Sequence, residues 1–244
     1  MTIANKIAFI TGGASGMGLA VARHLIEQNA HVVIFDRDRL PGDLTSINTV
    51  MGLQGDTSRA GDVADALSAV RDRFGRLDLA INAAGITGEL APLVEQPDDG
   101  MDKLLAINVA GMFLAMKYEA LLMRETGGAI VNFGSVYGRG AHANMVLYGA
   151  SKHAVSGLTQ GAAVEFAQFG IRVNAVAPGP IRTPFIGTIT REIEAAIGRG
   201  IPQRRIGEPD EVAGAVLWLL SDAASYVTGA TIAIDGGQAA LLAG

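Results

Sequence analysis

The stretch Thr11-Gly12-Gly13-Ala14-Ser15-Gly16-Met17-Gly18 decides how this chain is read. Before it lies an apolar run, Lys6–Ile10, that reads as a strand, and after it a segment of helical period, Leu19–Gln28. Glycines allow such a turn to take positive φ and let the backbone come close to a pyrophosphate. The following helix offers that anion unpaired N–H groups and a partial positive charge. Glycine-rich turns also arise for purely structural reasons, so the weight rests on position: between a first strand and a first helix, the turn points to a dinucleotide.

Working outward, His31–Phe35, Leu77–Ile81, Ala129–Phe133, Ile171–Val176 and Thr231–Ile234 read as further strands, and Thr49–Leu53 as a weaker one. Most are near-continuous runs of Val, Ile, Leu and Ala, as expected when helices cover both faces of a parallel sheet. Helical stretches lie between them at Asp62–Phe74, Leu104–Met123 and Ala150–Phe169, and Pro209-Asp210-Glu211 opens another with proline and acids in its first turn. The alternation implies an α/β fold, a doubly wound seven-stranded parallel sheet. No repeat, charge block or boundary divides the chain, so residues 1–244 read as a single domain.

Composition narrows the function. Hydrophobic residues make up 49% of the 244 and charged residues 18%, enough for a sizeable core without disulfides. There is no cysteine, which removes thiolate metal sites and cysteine nucleophiles and fits a reducing compartment. A formal net charge of -5 gives a nucleic-acid partner no electrostatic support. The N-terminus lacks signal-peptide architecture, and no uncharged run reaches the roughly 18 residues of a membrane span. The expectation is a cytoplasmic protein with no membrane or nucleic-acid partner. His24, His31, His142 and His153 lack partners at metal-ligand spacing, so no metal site is expected.

The second strand ends at Phe35-Asp36, 18 residues past Gly18. A carboxylate there can accept hydrogen bonds from the adenosine ribose hydroxyls and would repel a 2′-phosphate. Asp36 therefore points to NAD rather than NADP, although Arg37 beside it could partly neutralise such a phosphate.

Tyr148-Gly149-Ala150-Ser151-Lys152 puts Tyr148 and Lys152 on one helix face. A phenol with a pKa near 10 is a poor base at neutral pH; a neighbouring ammonium, assisted by the positive charge of oxidised nicotinamide, stabilises the phenolate and makes tyrosine usable as acid/base. The spacing alone is common in helices; two more polar positions give it meaning. Ser135, at the end of the fifth strand, could hydrogen-bond a substrate oxygen. Asn108 interrupts the apolar stretch Leu104–Ala110, either as a structural link between helices or as the holder of a water in a proton relay.

With these motifs in place, the whole chain resembles the classical short-chain dehydrogenases/reductases. The family's cofactor turn matches Thr11-Gly12-x-x-x-Gly16-x-Gly18, its fourth-strand signature Asn82-Ala83-Ala84-Gly85, and its catalytic tetrad Asn108, Ser135, Tyr148 and Lys152. Pro178-Gly179-Pro180-Ile181-Arg182-Thr183 matches the nicotinamide loop, with Thr183 toward the carboxamide, and Asp56 of Gly55-Asp56-Thr57 matches the adenine contact. Val227-Thr228-Gly229 and Asp235-Gly236-Gly237 also look like the family. The resemblance implies a Rossmann fold that binds NAD through Gly12, Ser15, Gly16, Met17, Gly18, Asp36, Arg37, Asp56, Thr57, the Asn82–Gly85 segment, Tyr148, Lys152, Pro178, Gly179, Ile181 and Thr183.

The implied reaction moves a hydride between nicotinamide and a secondary alcohol or ketone, with Tyr148 as acid/base, Ser135 orienting the oxygen, Lys152 on the ribose and Asn108 holding a water. Ser135, Tyr137, Met145, Tyr148 and Pro180, with Ile86, fall where the family lines its substrate pocket. A lid is expected over about 184–207, with Ile186, Ile189, Ile193 and Ile197 as its apolar side. Arg139, Arg182, Arg191 and Arg199 are the nearby charges that could serve an anionic substrate. A homotetramer is implied through the helices of Asn108 and Tyr148 and the C-terminal strand. Met112, Met116 and Met123 are expected to pack against a neighbouring subunit, and the apolar end Ala239–Ala243 to be buried there. Two other functions compete: reduction of a 3-oxoacyl thioester on an acyl carrier protein, for which the turns at Arg124–Gly128 and Ala167–Gly170 have little positive charge, and redox sensing without turnover.

Overall fold

The apolar runs fold as β1 (Ile7–Thr11), β2 (His31–Asp36), β3 (Val50–Gln54), β4 (Leu79–Asn82), β5 (Gly128–Phe133), β6 (Ile171–Pro178) and β7 (Thr231–Ile234) in a computed structural model that describes residues 3–187 and 190–241. All pair in parallel, in the order β3-β2-β1-β4-β5-β6-β7. The chain winds outward from β1 to β3, then crosses back to place β4 on the other side of β1. That reversal opens a crevice at the carboxyl ends of β1 and β4, where open α/β sheets bind ligands.

Side-chain alternation along the strands divides the core in two. Ala8, Ile10, Val32, Ile34, Ile81 and Val131 face helices α1 (Gly16–Glu27) and α7 (Pro209–Leu220). Ile7, Phe9, Val33, Phe35, Ala80 and Ile130 face the opposite layer of α2 (Ala60–Phe74), α4 (Met112–Met123) and α5 (Val146–Phe166). β1, β2, β4, β5 and β6 are buried on both sides, which is why they read as unbroken apolar runs, while the edge strands β3 and β7 are partly exposed. His24 lies between Glu27 and Asp210, at 3.4 and 3.1 Å, and ties α1 to α7.

The segment expected to form one helix from Leu104 is longer: α3 (Gly100–Leu105), a π turn over Ala106–Gly111, then α4. By length and composition Gly100–Met123 could cross a membrane. It packs instead along the sheet, with Glu119 wholly buried. Met112, Met116 and Met123, expected to meet another subunit, are buried in the chain's own core, while Phe113 and Leu121 stand exposed. A helix apolar on all sides does not reveal which face turns inward.

The expected lid contains a short 3-10 turn, Pro184–Ile186, and α6 (Arg191–Arg199), whose N-cap Thr190 accepts from the Ile193 amide. Ile189 lies outside the described residues, as does Ala243; Ala239, Ala240 and Leu241 are exposed in the single chain.

Candidate active site

The glycine turn sets the first wall of the crevice. A Cβ on Gly18 would stand 2.2 Å from the Gly12 carbonyl oxygen, so only glycine lets α1 spring this close to the end of β1. Ser15 is the N-cap yet makes no side-chain capping bond, so the first amides of α1 open into the crevice. Asp36 crosses from the end of β2, accepting from the Ala14 amide at 2.9 Å and the Asp38 amide at 3.0 Å. Arg37 is exposed, and with Arg59 it acts on Asp56. Burial raises the Asp56 carboxyl, but bonds from Ser58 and these two charges outweigh it, and the net shift is downward.

Gly12, Ser15, Gly16, Met17, Gly18, Asp36, Arg37, Asp56, Thr57, Ala83, Ala84, Gly85, Tyr148, Lys152 and Thr183 all line this one cleft. Asn82 sits below it, fully buried. Its amide nitrogen donates to Glu119 and to Asn132, both at 3.1 Å, and Asn132 donates on to Thr159 at 3.0 Å. Pro180 and Ile181 border a second cavity with Ile201 and Gln203. The reason is a parallel bridge between Ile181 and Gly207, which carries the loop after β6 back toward α7.

At the other end of the cleft the four polar residues gather. Lys152 is buried, and its Nζ donates to the Phe133 carbonyl at 2.8 Å. It also lies 5.6 Å from the centre of the Tyr148 ring. Ser135 ends the strand extension after β5, accepts from the Tyr137 amide at 3.3 Å and acts on the Tyr148 phenol. Asn108 lies on the π turn, a feature frequent at functional sites. Its amide clamps Ile86 from both sides, accepting from the backbone N–H at 2.8 Å and donating to the carbonyl at 2.9 Å, and it reaches Ser151 on α5 at 3.1 Å. The amide of Asn108 is therefore used as a structural link. A Cβ on Gly85 would fall 3.2 Å from Asn108 Oδ1 and 3.6 Å from Lys152 Nζ, so bare backbone keeps the space between those residues open.

The electrostatics differ from the expectation that Lys152 lowers the phenol. Burial pushes Tyr148 up to about 12, against the downward pull of Ser135, with Tyr137 adding to the rise. Burial also pushes Lys152 down to about 8. The phenol is thus protonated at neutral pH and ready to donate.

Around Tyr148 the walls are Leu104 and Leu147, with Ile86, Met101, Tyr137 and Met145 packed against them. Phe185, which no sequence signal marked, brings its ring within 6.3 Å of Tyr148. Arg139, Arg182, Arg191 and Arg199 are all exposed, and Arg182 is paired with Glu194 at 2.7 Å and Glu208 at 2.9 Å. No group of three or more metal-ligating side chains occurs among the described residues.

Three comparisons bear on this geometry. The profile of a family described as enoyl-(acyl carrier protein) reductase matches residues 12–239. The short chain dehydrogenase/reductase astE of Aspergillus oryzae is 38% identical, over 97% of this chain and 95% of its own length. Cyclohexanol dehydrogenase of an Acinetobacter species is also 38% identical, over 95% of this chain and 94% of its own. The solved structure of ElxO with NADP bound superposes with a TM-score of 0.90 at 34% identity, covering 97% of this chain and all (100%) of that one.

Proposed function

This chain belongs to the short-chain dehydrogenase/reductase family, and on that footing we propose that Tyr148 exchanges a proton with the oxygen of a secondary alcohol or ketone whose carbon gains or loses a hydride. The observation that carries the reading is the meeting of Tyr148, Ser135 and Lys152 at the far end of the cleft that begins at the Gly12–Gly18 turn. The chain is an oxidoreductase, like relatives that act on cyclic secondary alcohols.

The cleft fits a nicotinamide dinucleotide: open helix amides and bare glycines for the pyrophosphate, Asp36 for a ribose, Asp56 and Thr57 for adenine, and Thr183 with Lys152 toward the reactive end. When bound, the nicotinamide supplies or takes up the hydride. Everything else is the work of the chain. Ser135 orients the substrate oxygen beside the Tyr148 hydroxyl. Tyr148 donates its proton as a carbonyl is reduced, and takes one back as an alcohol is oxidised. Lys152, held by the Phe133 carbonyl, favours the phenolate when it forms. Because the Asn108 amide is already committed to Ile86 and Ser151, a relay water would rest on backbone beside it rather than on that amide. The exposed apolar face of α4 and α5, with Phe113, Leu121 and Val164, supports assembly as a homotetramer, with residues 1–244 as one catalytic unit.

NADH is the proposed cofactor, because Asp36 stands where an added 2′-phosphate would bring negative charge. The expected result is a kcat/KM with NADH at least about tenfold above that with NADPH, the effect of one desolvated like-charge contact. Asp36→Ala should narrow that ratio. Equal or better efficiency with NADPH would overturn the assignment, and Arg37 would then be the residue to examine. Lys152→Ala should both raise the KM for cofactor and lower kcat, since one ammonium serves ribose and phenol; a variant altered in only one of the two parameters would separate those roles.

The function itself is tested with a panel of secondary alcohols and ketones followed by NADH absorbance, with an acyl-carrier thioester alongside. Turnover of simple ketones supports the reading. A thioester reduced efficiently while ketones are ignored replaces it.

A further inference from the structure

Phe185 completes a row of aromatic side chains beside the reacting hydroxyl. Its ring centre stands 6.3 Å from that of Tyr148, with the planes tilted by 53°. Tyr137 also stands 6.3 Å from Tyr148, edge-on at 76°, and the His142 ring covers Tyr137 at 5.5 Å. Tyr148 is buried within this row, whereas Phe185 is 43% exposed. A large apolar ring left half in water on the wall of a cleft is area that a ligand can cover.

The backbone holds that ring in place before any ligand arrives. The Thr183 side chain packs on the glycine turn, where a Cβ on Gly16 would meet it at 3.5 Å, and its hydroxyl donates to the Ile181 carbonyl at 3.3 Å. Pro184 then opens the 3-10 turn with a fixed φ. The Ile186 amide closes that turn on the Thr183 carbonyl at 3.2 Å, and the Gly187 amide on the Pro184 carbonyl at 3.0 Å. Phe185 thus lines the same cleft as Gly16 and Thr183 while its ring lies beside Tyr148.

We propose that Phe185 is a specificity-determining residue that selects ketones and alcohols whose reacting carbon carries an aryl ring. With the reacting oxygen at Tyr148 and Ser135, the groups on that carbon extend among Phe185, Tyr137 and the thioethers of Met101 and Met145. A flat ring there sets its positive edge against one aromatic face and meets the sulfurs with its own edge. A saturated ring of the same size offers apolar area alone. The inference rests on the oxidoreductase reading given above and names its substrate class.

The test compares acetophenone with cyclohexyl methyl ketone, which share a carbon skeleton and differ in whether the ring is aromatic. Their kcat/KM ratio is measured in wild type and in Phe185→Leu, so that the intrinsic reactivity of the two carbonyls cancels. The ratio should fall by roughly threefold to tenfold in the leucine variant, the worth of one aromatic pair, chiefly through KM for acetophenone. Phe185→Tyr, which keeps a ring, should stay within about twofold of wild type. A ratio unchanged in Phe185→Leu, or one that falls as far in Phe185→Tyr, overturns this proposal and leaves the oxidoreductase reading standing. So does a wild-type enzyme that reduces other ketones of the panel and not acetophenone. An enzyme that turns over no ketone of the panel, with cofactor bound, would remove that reading and this proposal together.

Discussion

Tyr148→Phe is expected to cut turnover by roughly a hundredfold to ten-thousandfold while cofactor binding survives, the range ascribed to a positioned acid/base group. The substitution removes one oxygen and leaves the ring, so the contacts of Tyr148 with Tyr137 and Phe185 are kept. Burial holds the phenol at about 12, so the wild-type group carries its proton throughout the neutral range and can deliver it to a carbonyl. The measurement is single-turnover ketone reduction beside a fluorescence titration of the bound nucleotide. Turnover within a few-fold of wild type in the folded variant would place the proton transfer on another group. Loss of nucleotide binding would show that the phenol hydroxyl holds the cofactor as well.

Glu119→Gln should stabilise the protein at alkaline pH and change little in acid. Glu119 projects from α4 into the sheet, where its Oε2 accepts from Asn82 at 3.1 Å and its Oε1 has no partner. Burial pushes its carboxyl up from 4.5 to about 8, while the Asn82 bond pulls the other way. The folded chain keeps this proton up to about pH 8, whereas the unfolded chain loses it near 4.5. Unfolding between those values therefore releases a proton, so stability falls as pH rises across the interval and levels off above it. The penalty is on the order of 5 kcal/mol when fully developed. Glutamine keeps an acceptor for Asn82 and cannot ionise. Urea unfolding of both proteins between pH 5 and 8.5 checks this: the two should be closest in acid, and the wild-type curve should fall progressively below that of the variant as pH rises. Parallel curves would mean that Glu119 is solvated or paired in solution.

Much of the fold could be read from periodicity and punctuation. The predicted strands agree with those observed to within two residues at either end, because a strand covered on both faces leaves an unbroken apolar run between polar turns. Ends were less legible. The helix expected from Leu19 begins at Gly16, since the glycines that lower helix propensity are the ones the cofactor turn requires. In sequence the lid reads only as a segment with an apolar side; the structure makes a helix, α6, of the part that carries Ile193 and Ile197, four residues apart. The methionines of α4 were assigned to the wrong face because the helix is apolar all round, and the buried Glu119 on it went unmarked for the same reason.

The sequence by itself determined the sheet, the glycine turn, Asp36 at the end of β2 and the helical pairing of Tyr148 with Lys152, because each depends on residues close together in the chain. Tertiary structure alone decided the rest. It fixed Asn108 as a clamp on Ile86, put Lys152 under the Phe133 carbonyl, turned Pro180 toward a second cavity, and brought Phe185 to the reacting tyrosine. Those contacts join residues far apart in sequence, and burial, which reverses the expected direction of the Tyr148 shift, exists only once the layers have closed around it.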